Sequence, residues 1–351
     1  MRRSTDDIGA LPSSLIPGSP AQDVPTRRPG FLGQIPYAIR AMRPTQWSKN
    51  ALVLLALVFA RRLTDLKVDA RVFLAFAAFC LAASTIYIVN DIADREKDRQ
   101  HPRKRLRPVA SGRLSLPLAV LTACVCAAGA AALTGVLTAQ LLLVTPDPFA
   151  AWGTSGVLFA LTITTYVGLN LAYSTWLKHL VLWDVFVIAA GFVLRALAGA
   201  FAAPVPISPW FYICATFAAL FLALAKRRAE LANVGAAAGS RAILGQYTLQ
   251  LLDQLIAVVV TCTLITYSLY TFLPADGSGL AGNHQLMITI PFVLFGMFRY
   301  LYLVYVRNEG EHPDELLWRD PQILATVVLV VLVVIGVLYG IPFLRSHPIT
   351  L

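Results

Sequence analysis

Residues 72–98 read VFLAFAAFCLAASTIYIVNDIADREKD. The first 18 of these, Val72 to Val89, carry no charge and then run without a turn residue into Asn90 and Asp91. A stretch of about 20 apolar residues has the length of a bilayer-crossing helix. Comparable runs recur outward from it at 45–60, 114–142, 155–176, 181–203, 209–226, 250–273, 286–306 and 322–344, nine in all with 72–92. The composition agrees: of 351 residues 57% are hydrophobic and 14% charged, where soluble domains carry about 25% charged residues. The chain is therefore expected to be an all-α integral membrane protein with about nine transmembrane helices. Residues 1–35, polar and rich in proline, are expected to be a disordered tail; 36–345 form the polytopic domain, and 346–351 a short C-terminal tail.

The net charge of +10 would suit nucleic acid, but its distribution is topological. With the N-terminus inside, 22 of the 29 lysines and arginines fall on the cytoplasmic side, five on the other side, and Arg195 and Arg299 within spans. That bias places the N-terminus in the cytoplasm, and no nucleic-acid partner is needed to explain the charge. The five cysteines lie inside apolar runs and read as small core residues, and the five histidines stand at unrelated spacings that offer no metal cage.

At the cytoplasmic end of the second run, Asp91, Asp94 and Asp98 stand at i, i+3 and i+7. On a continuous helix they share an arc of about 60°, with Asn90 one turn from Asp94. Three carboxylates on one stripe repel each other unless a cation lies among them. A hard divalent ion such as Mg²⁺, which accepts one or two carboxylates and completes its shell with phosphate oxygens, suits such a helix end. A solvated helix end neutralised by Arg95, Lys97 and Arg99 is the alternative. The next segment, His101 to Gly112, is strongly basic and contains Arg107-Pro108-Val109-Ala110-Ser111-Gly112.

The pairing of N-D-x-x-D-x-x-x-D with a downstream R-P-x-x-S-G resembles the UbiA-type membrane prenyltransferases, and the number of spans agrees. The resemblance implies helices around a central cavity open to the cytoplasmic face, with Mg²⁺ held by Asp91, Asp94 and Asp98. It also implies a second aspartate motif after the sixth span. Here that position reads Lys226-Arg227-Arg228-Ala229-Glu230, so Lys226 and Glu230 stand where a carboxylate pair is expected. Cations there would meet a phosphate directly, or would anchor the chain to anionic lipid.

Other cationic and polar positions gather at the same membrane face. Tyr173 and Lys178 close the fourth span, and Lys49 ends the segment Arg43-Pro44-Thr45-Gln46-Trp47-Ser48-Lys49. Each could equally be an interfacial or snorkelling side chain. Arg195 lies mid-span, where a charge normally faces a partner or a cavity. Asp184 is on the same helix face but about 16 Å away along the axis, so the two are not expected to pair.

One aspartate motif with a basic replacement of the second, together with the segments at Arg43 and Tyr173, resembles the phosphoribosyltransferase branch of that family. The resemblance implies Mg²⁺-dependent transfer of 5-phosphoribose from phosphoribosyl pyrophosphate (PRPP) to a polyprenyl phosphate such as decaprenyl phosphate. The product would serve cell-wall arabinan synthesis at the plasma membrane. It assigns the metal to Asp91, Asp94 and Asp98 with Asn90 in support. PRPP falls to Lys49, Lys104, Tyr173 and Lys178, and further phosphate contacts to Lys226, Arg227 and Arg195. A prenyltransferase with an aromatic acceptor and an anion transporter are the competing expectations.

Overall fold

The computed structural model describes residues 30–59, 65–102, 104–233, 242–273, 284–310, 316 and 319–340. The described part is helical: α1 (Ile35–Ala41), α2 (Leu55–Phe59), α3 (Leu66–Ala93), α4 (Arg95–Gln100), α5 (Leu116–Leu142), α6 (Ser155–Thr175), α7 (Trp183–Ala202), α8 (Pro209–Asn233), α9 (Leu249–Phe272), α10 (Ile290–Tyr305) and α11 (Pro321–Ile335). Of the tail expected over 1–35, residues 1–29 lie outside the described residues. Leu32–Gln34 form a 3-10 turn leading into α1. The expected tail at 346–351 also lies outside them.

Among the described residues, eight helical segments are long and apolar enough to cross a membrane, α10 counting with the 3-10 turn before it and α11 with the π-helical turn after it. This is a multi-pass membrane protein. The segment expected as the first span differs from the rest: Pro44–Leu54 is a 3-10 helix, followed by the single α-turn of α2. At about 2 Å per 3-10 residue and 1.5 Å per α residue, the two together still reach about 30 Å. They lie against α3 and α7.

Helices α3 and α7 are the inner pair. In each, 56% of the most apolar stretch is buried, against 22% for α5. Phe79 of α3, fully buried, packs on Phe159 and Tyr166 of α6. The outer helices leave side chains such as Val125, Leu161 and Phe298 more than half exposed, as expected where lipid is the solvent. Cys124 is among these exposed residues, contrary to its reading as core, while Cys126 is buried: two positions apart on a helix, they point in different directions.

Consecutive long helices pack side by side, and the π-helical turn after α11 reaches back to α2. Tyr339 donates its hydroxyl to the Leu57 and Val58 carbonyls at 2.9 and 3.1 Å, and Val58 packs with Val334, Val337 and Leu338. Gly199 of α7 allows the Pro44–Leu54 segment to seat: a Cβ there would lie 2.1 Å from the Val53 carbonyl oxygen.

Candidate active site

The aspartate stripe is not on one continuous helix. α3 ends at Ala93, Asp94 takes a non-helical backbone conformation, and α4 begins at Arg95. The i to i+4 bonds nonetheless continue through it, Asp94 N–H to the Asn90 carbonyl at 2.9 Å and Asp98 N–H to the Asp94 carbonyl at 2.8 Å. Asp91 and Asp98 are buried, whereas Asp94 and Asn90 are half-buried.

Arg107 brings the two buried carboxylates together. Its Nη1 donates to Asp91 Oδ1 at 3.1 Å and to Asp98 Oδ2 at 2.7 Å. Arg43 donates to the same Asp91 oxygen and stacks over Tyr87, 4.9 Å from the ring centroid. Local sequence explains both placements. After Arg107, Val109 and Leu114 bury themselves against Ile88, Ala38 and Ala119. Gly112 turns the chain at φ 74°, a left-handed conformation that glycine adopts without strain, and its N–H bonds the Val109 carbonyl. Arg43 follows α1 at φ 55°, from where Pro44–Leu54 runs back along α3: Trp47 Nε1 donates to Ser84 Oγ at 3.1 Å, and Asn50 reaches Cys80.

A second polar centre joins α6, α7 and α8. α8 continues to Asn233, so Lys226, Arg227 and Glu230 stand in its last turns and not in a loop as expected from the sequence. The fully buried Arg227 donates from Nε to Asp184 Oδ2 at 2.6 Å, from Nη1 to Glu230, and from Nη2 to the Tyr173 hydroxyl at 3.0 Å. Tyr247 donates to the other Asp184 oxygen at 2.7 Å while accepting the Leu182 N–H at 2.7 Å. Burial, and then the Asp184 carboxylate, push the Tyr247 hydroxyl far above its ordinary pKa, so it stays a donor. Arg228 faces elsewhere, bonded to Asp253 at 2.8 Å and stacked on Tyr305.

Arg195 and Asp184 do not pair. Arg195 is buried and donates to Asn50 Oδ1 at 2.7 Å, the Gly191 carbonyl at 2.6 Å and the Tyr166 hydroxyl at 2.8 Å. It makes no ion pair among the described residues. Its interactions tie the Pro44–Leu54 segment to α6 and α7. Arg299, also within a span, holds Asp320 at 2.8 Å ahead of α11.

The sequence profile of the UbiA prenyltransferase family matches residues 50–319. The chain belongs to the UbiA prenyltransferase family. It is 34% identical over 307 residues to a decaprenyl-phosphate phosphoribosyltransferase of Corynebacterium glutamicum, covering 87% of each chain. Identity is also 34% to the enzyme of the same name from Mycobacterium tuberculosis, over 86% of this chain and 93% of that one. A UbiA homolog from Archaeoglobus fulgidus, solved with GPP and Mg²⁺, shares the fold at a TM-score of 0.61 and 16% identity, over 86% of this chain and 99% of that one. This UbiA chain is thus a membrane transferase.

The UbiA fold brings only part of the expected site into contact. Tyr173 and Arg227 meet directly, and Asp91 and Asp98 meet through Arg107. Lys49, Lys178 and Lys226 are half-buried, and Lys104 is exposed in the basic loop with its backbone N–H on His101. Among the described residues, no three carboxylate, histidine or cysteine side chains converge closely enough to hold an ion unaided. Asp91 Oδ2 and Asp98 Oδ1, however, take no hydrogen bond among the described residues, while their sister oxygens converge on one nitrogen. Two carboxylates with spare oxygens beside the half-exposed Asp94 fit Mg²⁺, which needs few protein ligands when a diphosphate supplies the others. Sequence reasoning gave Arg107, Arg43 and Tyr247 no role. The first two stood in quoted motifs, but Arg43 is 48 residues from Asp91 and nothing in the spacing joins them.

Proposed function

We propose that this UbiA enzyme transfers 5-phosphoribose from PRPP to a polyprenyl phosphate, with release of pyrophosphate, at the cytoplasmic face of the plasma membrane. The observation that carries this reading is the chemistry at the end of α8. Glu230, the sole carboxylate in the segment 226–230, is committed to Arg227. Lys226 stands where a second pair of metal ligands would begin. One aspartate centre, with Lys226 in place of a second carboxylate pair, suits two phosphorylated substrates better than a prenyl diphosphate and a neutral aromatic ring. The names of the Corynebacterium and Mycobacterium relatives support the same substrates, and cell-wall arabinan synthesis is the use that follows for the product.

In this reading Asp91 and Asp98, with Asp94 beside them, hold Mg²⁺ on the pyrophosphate of PRPP. When bound, the ion draws charge from the leaving group. The chain's own residues do the rest. Lys49, Lys104, Lys178 and Lys226 supply cations for the 5-phosphate and the lipid phosphate. Tyr173 is a candidate PRPP contact, and Arg227, fully enclosed, positions it. Arg195 likewise positions the Lys49–Asn50 segment through Asn50. The acceptor is already anionic at neutral pH, so no strong base is needed. Its oxygen bonds to ribose C1 as the bond from C1 to the pyrophosphate oxygen breaks, through an oxocarbenium-like state, and alignment supplies much of the acceleration.

The test is incubation of the purified protein with labelled PRPP, Mg²⁺ and decaprenyl phosphate, then identification of the lipid product. Labelled decaprenyl phosphoribose is expected, and its formation should be abolished by chelator and by Asp94→Asn. Absence of that product, alongside transfer from a prenyl diphosphate to an aromatic acid, would replace this reading by the aromatic one.

A further inference from the structure

We propose that Tyr247 is a positioning residue for PRPP, whose single hydroxyl fixes both the turn that carries Lys178 and the ion pair that orients Tyr173. The proposal deepens the reading above and rests on Tyr173 and Lys178 meeting PRPP. The coupling runs through Leu182, Asp184 and Arg227.

The connection between α6 and α7 holds a conformation that its own sequence does not favour. Leu182 stands at φ 68° and ψ −40°, where a bulky residue remains only when its surroundings impose it. Its side chain is 41% exposed, so side-chain packing is a weak constraint. Backbone bonds supply the stronger one. The Leu182 carbonyl accepts the N–H groups of Val185 and Phe186 at 3.0 and 2.9 Å, opening α7, and the Leu182 N–H donates to the Tyr247 hydroxyl at 2.7 Å. Lys178 lies on the same connection, in the 3-10 turn Leu177–His179.

The same hydroxyl donates its proton to Asp184 Oδ1 at 2.7 Å. Asp184 Oδ2 takes the Arg227 Nε at 2.6 Å, and Arg227 Nη2 donates to Tyr173 at 3.0 Å. One oxygen thus accepts from the turn and donates to the ion pair, and a phenylalanine can do neither. The ring is held separately, buried with Val185, Ile243 and Leu252, so its packing survives loss of the hydroxyl. Without that oxygen the Leu182 N–H loses its acceptor, the turn relaxes toward negative φ, and Lys178 leaves its place. Asp184 keeps Arg227 but can rotate about the remaining bond, and the donor aimed at Tyr173 moves with it.

The experiment compares Tyr247→Phe with wild type as full-length protein in nanodiscs, by amide hydrogen exchange and by turnover of PRPP with decaprenyl phosphate. Amides of 178–184 should exchange at least about tenfold faster in the variant, while those of α3 keep wild-type protection and report an intact fold. The KM for PRPP should rise at least about tenfold, with kcat falling no more than about threefold and the KM for decaprenyl phosphate changing less than about twofold. A merely structural defect would lower kcat and leave both KM values in place. Unchanged exchange at 178–184 overturns the proposal, as does a PRPP KM within about twofold of wild type or loss of protection across α3. A wild-type protein that turns over no PRPP removes the substrate reading, and the role of Tyr247 toward PRPP with it; the exchange then shows separately whether the hydroxyl holds the turn.

Discussion

Replacing Arg227 with methionine tests the second polar centre most directly. Asp184 and Arg227 are both fully enclosed, and one carboxylate oxygen has the Arg227 Nε at 2.6 Å as its partner. The substitution keeps an unbranched apolar stem in the space of the arginine stem but strips that oxygen of its partner, and also Glu230, whose side chain is 15% exposed. Only the Tyr247 hydroxyl remains on Asp184. Breaking a buried pair from one side typically costs about 3–5 kcal/mol, chiefly because the other charge is left uncompensated. Asp184→Asn, which leaves Arg227 its bonds to Glu230 and Tyr173, should cost about 1–3 kcal/mol. The double variant should then lose at least about 1.5 kcal/mol less than the sum of the two, since no unpaired carboxylate remains at 184. Reversible unfolding by SDS in mixed micelles, followed by circular dichroism, gives all three values. An Arg227→Met loss under about 1 kcal/mol, or costs that add within about 0.5 kcal/mol, would refute the argument that this pair is an interdependent buried unit.

Gly199→Ala should destabilise by roughly 1–3 kcal/mol or more, because its Cβ would fall 2.1 Å from the Val53 carbonyl oxygen; the same unfolding assay measures it, and a neutral effect would mean the Pro44–Leu54 segment is loosely seated. The Arg299 hydrogen bond, opposed by burial and helped by the N–H groups of Ile323 and Gln322, holds the Asp320 carboxyl below its ordinary pKa. Its contribution is therefore complete above the ordinary carboxylate range, about pH 4, and is lost as pH falls through the lower folded value. Asp320→Asn should accordingly unfold earlier than wild type at pH 7, with the gap narrowing as pH falls below about 4; a gap independent of pH would count against the ion pair. Lys226→Asp should lower PRPP turnover at least about a hundredfold by setting a negative charge against a phosphate, with Lys226→Gln losing less; near-normal turnover would reduce Lys226 to a membrane anchor.

The apolar runs alone determined that this chain crosses a bilayer repeatedly as helices, because in hydrocarbon the backbone must satisfy itself within each span. The acid run after Val89 and the basic segments at 101–107 and 226–228 likewise stand out in the sequence, since charge at the end of an apolar run is visible as spacing. Three matters needed tertiary structure. The 44–59 segment, polar over much of 45–50 and apolar after it, gave no sign that its first 11 residues wind as a 3-10 helix, a choice made by close seating on α3 and α7. The end of the sixth span was read too early, because Lys226, Arg227 and Glu230 look like a loop until Asp184 and Tyr173 are seen to satisfy the arginine inside the helix bundle. The partners of the aspartates were hidden for the same reason: Arg43 and Arg107 reach Asp91 from 48 and 16 residues away. Periodicity reports which face of a helix a residue occupies, whereas the packing of distant segments decides which charge it meets there.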